Sequence, residues 1–251
     1  MGNALTFETS RPMRSLLADV IEAHGGLDRW KRHHTLTATL VTGGGLWAMK
    51  GLVQDPKPRT MRVSLHEQRA SVAPFGGPNL RTEFTAQRVA IVSREGAVLQ
   101  ERPAPRASFS GHTMTTPWDP LHRAYFNGYA MWTYLTTPFF MATPGFEVSE
   151  TEPWMEGDEL WRRLRVRFPE RIESHSAEQE FYFGPDLLLR RHDYRVDVSG
   201  SFGAAQYVHD VVDADGIKVP TRRRAYFRGP NGQPARDVLL VSIDLSGFQF
   251  A

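Results

Sequence analysis

Seven side chains on neighbouring strand candidates have types that could do chemistry together: His175, Gln179, His192, Tyr194, Tyr207, His209 and Arg223. Two neutral imidazoles beside phenols can take and return a proton, and a guanidinium or phenol can stabilise developing negative charge. Burial beside Arg223 would hold the histidines as free bases at neutral pH. On this reading His192, His209 and Tyr194 form the catalytic set. Tyr207, Arg223, His175, Gln179 and Phe181 line a binding hollow, together with Tyr125, Tyr129 and Trp132 from a helix. Two other readings stand beside catalysis. The same groups could bind a ligand without reacting, or form a self-satisfied hydrogen-bond network in a core.

Strand parity places these groups. Over 188–198, Arg191, Asp193, Arg195 and Asp197 share one face. Alternating charges are costly inside, so that face is expected to meet water. Arg190, His192, Tyr194, Val196 and Val198 then point to the core. If Ser199–Ala205 connects to the next strand, Val196 pairs near Tyr207 and Tyr194 near His209, so Tyr207, His209 and Val211 also point inward. Over 217–227 the inward set is Ile217, Val219, Thr221, Arg223, Ala225 and Phe227. The strand 178–184 adds Gln179, Phe181 and Phe183, with His175 just before it.

Several chemistries are excluded. The chain has 251 residues and no cysteine, which removes thiolate nucleophiles, disulfides and Cys-based metal sites. Thirty Lys+Arg against 28 Asp+Glu give a formal charge of only +2, far from a nucleic-acid-sized field. Arg162, Arg163, Arg165, Arg167 and Arg222–Arg224 read as strand arginines of a solvated sheet face, paired with acids across strands. His175, His192 and His209 could be the ligands of an open zinc site. No carboxylate shares their face, however, and Arg223 would repel a cation, so no metal is expected, nor any cofactor. Gly43-Gly44-Gly45-Leu46-Trp47-Ala48 fits a dinucleotide fingerprint, but Pro56 cuts the helix it requires, and it reads as a hairpin turn. Asp213-Ala214-Asp215-Gly216 reads as a tight turn rather than a calcium loop. No segment is long and apolar enough to span a membrane, and Met1–Ser10 has no signal-peptide pattern, which points to the cytoplasm.

The elements that must hold these residues follow from periodicity. Residues 11–32 read as an amphipathic helix interrupted at Gly25-Gly26, with Leu27–Lys31 resuming as one turn. Strands follow at 35–42, 46–53, 61–65, 71–73, 81–85 and 88–93, then a loop over 101–117. Residues 118–146 are dense in aromatics. Asp119-Pro120 is an N-cap with proline at the first helical position, so a helix over 120–136 is expected, with Tyr125, Tyr129, Trp132 and Leu135 on one side. It serves either as core or, with 136–140, as a lid. His122 on this helix is expected at the surface. From 158 to 250 the pattern is strand and turn, and the whole chain 1–251 reads as a single domain. The fold class is α+β, mainly antiparallel β: a large curved sheet or half-closed β-barrel, with both helices against its concave face.

Two motifs within this pattern carry a resemblance. A helix bearing Ala23-His24-Gly25-Gly26 ahead of a first strand, and the late strand Asp215-Gly216-Ile217-Lys218-Val219-Pro220-Thr221, resemble the lipoprotein-carrier (LolA/LolB-like) superfamily. The resemblance implies an open antiparallel barrel that wraps a few helices and holds acyl chains in its hollow. Carriers of that family have an export signal, and this chain departs from them there. The similar barrel of a cofactor-free enzyme in violacein assembly extends the implication to catalysis. The expected function is thus binding of a lipophilic small molecule in the hollow. The alternative is a cofactor-independent acid/base enzyme (lyase, isomerase, cyclase or hydrolase). Nothing in the sequence fixes an oligomeric state.

Overall fold

The structure, a computed structural model, describes residues 15–251. The start of the expected first helix, 11–14, and the N-terminal ten residues lie outside that range. The helix itself appears as α1, Leu16–Ala23, capped by Ser15 and burying Leu16, Val20 and Ile21, followed by the single turn α2, Leu27–Trp30.

Thirteen strands then form one antiparallel sheet built from two meanders. The first comprises β1 (Thr35–Gly43), β2 (Arg59–Ser64), β3 (Arg69–Ala73), β4 (Leu80–Thr85), β5 (Arg88–Ser93) and β6 (Val98–Pro103). The second comprises β7 (Glu147–Glu156), β8 (Glu159–Arg167), β9 (Glu178–Phe183), β10 (Leu189–Val196), β11 (Phe202–Ala214), β12 (Ile217–Arg228) and β13 (Pro234–Phe250). Pairing of β1 with β13 joins the meanders at the middle of the sheet, with Leu36 opposite Phe250. Strands β6 and β7 are the two outer edges, so the sheet curls without closing.

This topology dictates where the long helix goes. The chain leaves the sheet at one edge, β6, and re-enters at the other, β7, so the connection must cross the concave side. It does so as α4, Pro120–Thr136. Asp119 caps it by accepting the His122 amide at 2.8 Å, while His122 Nδ1 accepts the Asp119 amide at 3.2 Å. The sheet surrounds this helix, so every residue from Leu121 to Thr136 is buried, not only the aromatic stripe. Its hydroxyls bond back along the helix, Thr133 to the Tyr129 carbonyl and Thr136 to the Trp132 carbonyl. Gly128 lets the helix touch the sheet: a Cβ there would sit 2.2 Å from Phe84 Cγ.

Two expectations are corrected, and one strand is added. Residues 46–53 do not form a strand, because both neighbours of β1 are already taken by β2 and β13. Leu46–Met49 is instead a helical turn, α3, that buries Trp47. The expected loop 101–117 contains the end of β6 and a 3-10 helix at Pro105–Phe109. Edge strand β7 had no alternating apolar signal because both its faces are largely exposed.

The two motifs behind the family resemblance meet in space. The Lys218 amide donates to the His24 carbonyl at 2.9 Å, and Arg29 donates to the Gly216 carbonyl at 2.8 Å. Gly25, at φ +120°, lies so close that a Cβ would be 2.3 Å from the Gly216 oxygen. These glycines lock the helix onto the β11–β12 turn. Among the described residues, no helix is long and apolar enough to cross a membrane.

Candidate functional site

The register of β10 against β11 decides which side chains reach the concave face. The connection is tighter than expected: a 3-10 turn at Asp197–Ser199, then Gly200 and Ser201 with positive φ, so β11 starts at Phe202. His192 therefore faces Gln206 and Tyr194 faces Ala204, while Tyr207 lies opposite Arg191. A register slip of odd length sends every side chain of a strand to the other face. His209 and Tyr207 consequently leave the expected inward cluster: His209 is exposed, and Tyr207 is buried on the convex side. Gln206 takes the inward place. His175, Gln179, Phe181, His192, Tyr194 and Arg223 are inside as expected, as are Tyr125, Tyr129 and Trp132 on α4.

These inner groups form a connected polar layer between α4 and the sheet. His175 Nε2 meets the Tyr134 hydroxyl at 2.7 Å, and its Nδ1 meets the Tyr129 hydroxyl at 3.2 Å. The Tyr134 and Tyr194 hydroxyls are 3.0 Å apart, and the His175 ring stacks on Tyr194 at 4.0 Å. Arg223 donates to Gln206 at 2.9 Å and to the Tyr134 carbonyl at 2.8 Å, with its guanidinium over the Tyr134 ring. Nearby, His192 bonds Gln179 at 2.6 Å and stacks on Phe181. Toward the rim, Tyr125 donates to Glu173, which is paired with Arg106 at 3.3 Å. Tyr134, Gln206, Glu173 and Arg106 are absent from the sequence-based set. Tyr134 lies off the helical stripe, and Gln206 needed the true register.

Burial dominates the electrostatics. It holds His175 and His192 well below the usual imidazole value, aided by Arg106 for the former and by His175 and Arg223 for the latter. It pushes Tyr134 up to about 12 and draws Arg223 down to about 10. Apart from the Arg106–Glu173 pair at the rim, the layer is thus neutral except for Arg223. His175, His192 and Arg223 are each 1% exposed, and Tyr194 is 4%. In this conformation the layer anchors α4 in the hollow and does not meet a solvent-borne substrate.

The convex face of the same strands carries a second cluster. Arg191 and Asp193 were expected in water, yet they are 0% and 1% exposed. Their fork-to-fork bonds are both 2.7 Å. Trp154, Tyr182 and Tyr207 surround the guanidinium at 5.0, 4.9 and 5.4 Å, and the Gly232 carbonyl of the β12–β13 turn accepts from it. The flanking arginines behave as expected: Arg162 pairs with Glu150, Arg165 with Glu180 and Arg222 with Asp210 on the surface. His122, expected at the surface, is buried against Phe109 and His112. Among the described residues, no three metal-ligating side chains converge.

An open groove of about 340 Å³ lies at the mouth of the half-barrel, near the C-terminal end of α4. Leu65, Trp132, Phe146 and Ile172 give it apolar walls, and His66, Arg171 and the ion pair of Arg69 with Glu67 its rim. An adjoining groove of about 270 Å³ shares Ala86, Gln87 and Arg171 with it and reaches Arg106 and Glu173.

No protein-family model matches the sequence, and no curated protein matches it. Solved structures do match the fold. A LolA superfamily protein from Nitrosomonas europaea superposes with a TM-score of 0.52 at 9% identity, covering 94% of this chain and 92% of its own. A DUF1329 family protein from Desulfovibrio piger gives 0.50 at 11% identity, covering 94% and 91%. A domain assigned to outer membrane lipoprotein sorting from Vibrio parahaemolyticus gives 0.50 at 10% identity, covering 91% and 93%. With its open sheet curled around α4, the described chain has the LolA-like half-barrel fold.

Proposed function

We propose that this protein binds a lipophilic molecule with an acidic head group, as a carrier does, and seats it at the mouth groove. The observation that carries this reading is the groove itself. Leu65, Trp132, Phe146 and Ile172 offer an apolar wall for a chain, beside a rim that carries Arg171 and the Arg69–Glu67 pair, a net positive edge. Behind the wall, Phe140, Phe146 and Phe168 pack within about 5 Å of one another, a soft aromatic continuation into the core. The half-barrel fold supports the same reading. The hollow behind is filled by α4, so the ligand enters at the rim and deeper insertion requires α4 or the segment 139–146 to shift.

Calorimetric titration with palmitate tests it. Palmitate should bind with an affinity on the order of micromolar, and the neutral hexadecanol at least about tenfold more weakly. Arg171→Glu should reproduce that loss for palmitate. Absence of any binding by the wild-type protein sinks the proposal, as does an affinity indifferent to Arg69→Glu and Arg171→Glu together.

A further inference from the structure

The opposite end of the half-barrel holds a feature that ligand binding at the mouth does not use. Arg123 is nine residues before Trp132 on α4, about 14 Å away along the helix axis. Arg123 and Arg59 of β2 are 8% and 4% exposed. Neither has a carboxylate within ion-pair distance among the described residues, in contrast to the buried Arg191. Their partners are neutral. Arg59 donates to the Thr42 hydroxyl at 2.5 Å. Arg123 donates to the Val53 carbonyl at 3.0 Å and to the Gln54 side-chain oxygen at 3.2 Å, and lies over the Trp47 ring. Gln54 closes the group by donating to the Thr42 hydroxyl at 3.0 Å. The Nε–H of both arginines is buried without any acceptor. Two buried guanidiniums with unused donors are the opposite of a self-satisfied core.

What covers them is a strap rather than a strand. Residues 52–58 have no regular structure, carry Pro56 and Pro58, and expose Val53 to 89%. The acid of the strap, Asp55, accepts the Lys57 amide of its own loop and, though near enough to favour both charges, forms no ion pair with either arginine. The Val53 carbonyl and the Gln54 amide therefore supply the oxygens that face Arg123. An oxoanion would do so with charge as well as lone pairs, and guanidinium forks match it in pairs of bonds.

We propose that Arg59 and Arg123, with the Thr42 hydroxyl, form a site for a phosphate group, covered in this structure by Gln54 and opened by displacement of the strap 52–58. The phosphate accepts from both guanidiniums, including the Nε–H groups, and its two negative charges balance the two cations. The site is independent of the mouth groove, and either can fail without the other.

The test uses inorganic phosphate by calorimetry and thermal unfolding, with chloride at equal ionic strength as control. In parallel, the protein is sedimented with phosphatidic acid vesicles and with phosphatidylcholine vesicles. Binding of free phosphate, with a raised Tm, assigns a diffusible ligand. Sedimentation only with phosphatidic acid, lost in Arg59→Gln, assigns a lipid head group. Either result should fall by at least about tenfold in Arg59→Gln and Arg123→Gln. Thr42→Asp places a carboxylate where both Arg59 and Gln54 already donate. It should raise the Tm in the absence of phosphate and abolish phosphate binding, which keeps the test informative if an arginine variant unfolds. Failure of the wild type to respond to phosphate and to phosphatidic acid vesicles overturns the site. So does phosphate affinity that survives in Thr42→Asp.

Discussion

Strand β10 buries both of its faces, and it does so by two different chemistries. On the convex side Arg191 and Asp193 are buried as a matched ion pair, walled by Trp154, Tyr182 and Tyr207. On the concave side His192 and Tyr194 are buried as neutral groups in a hydrogen-bonded layer, and the one cation there, Arg223, has only neutral partners. A full charge on each partner makes the convex cluster sensitive to loss of either one, since the survivor keeps only one longer ion pair, Arg191 to Glu156 at 3.4 Å or Asp193 to Arg228 at 3.5 Å. The concave layer spreads its bonds over many neutral groups, and each deletion costs one or two hydrogen bonds.

Five perturbations should break or sharpen that contrast. The largest effect is expected from Asp193→Ala, which removes the two-pronged partner of Arg191 and leaves it only Glu156 at 3.4 Å, and should cost about 3 kcal/mol in urea unfolding. Arg223→Met removes a cation that has no counter-ion, and should cost at most ~2 kcal/mol. Equal losses for the two would erase the distinction between the clusters.

Acid should act on the concave side next. Burial holds His24 at about 4 and His175 and His192 well below the ordinary imidazole value. A folded-state value below the unfolded one means that the unfolded chain binds more protons. The stability these neutral histidines allow is therefore full above about pH 6.5 and lost as pH falls toward the folded values. The loss is about 1.4 kcal/mol per pH unit for each histidine. His192→Gln should consequently flatten the pH dependence, by up to about 1.6 kcal/mol between pH 6.5 and 5, measured as urea midpoints. An unchanged slope would mean that His192 is not held neutral in the folded state.

Smaller still, Tyr134→Phe removes the hydroxyl that links His175 to Tyr194 and should cost about 1–2 kcal/mol. The smallest effect is expected from His209→Ala, on the exposed convex surface, at within about 0.5 kcal/mol. A loss of more than about 1 kcal/mol there would contradict the register of β11.

Much of the frame was legible in the chain. Asp119-Pro120 marked the start of α4 and Pro138 its end, because capping and proline geometry act within a few residues. Alternation correctly sent Arg223 inward along β12 and Gln179 and Phe181 inward along β9, because each strand's phase was internally consistent. Legibility failed where phase had to be carried across a turn. The sequence of Ser199–Ala205 does not reveal that the chain reverses within Asp197–Ser201, and that difference sends Tyr207 and His209 to the other side. It failed again at Arg191 and Asp193, whose charges read as solvated when each residue is judged alone.

The amino-acid sequence by itself determined the local facts: where helices are capped, where strands alternate, which turns need glycine, and that no thiol is present. Those follow from φ/ψ preferences and side-chain period, which act over neighbouring residues. Only the tertiary structure decided which groups share a site. It set the register of β11, curled the sheet around α4 until the hollow was filled, and laid Trp154 and the β12–β13 turn over Arg191. Among the described residues, it also left Arg59 and Arg123 without a carboxylate in ion-pair distance. A buried charge is tolerated or not according to what the rest of the chain brings within a few ångströms, and that distance is set by packing rather than by sequence neighbours.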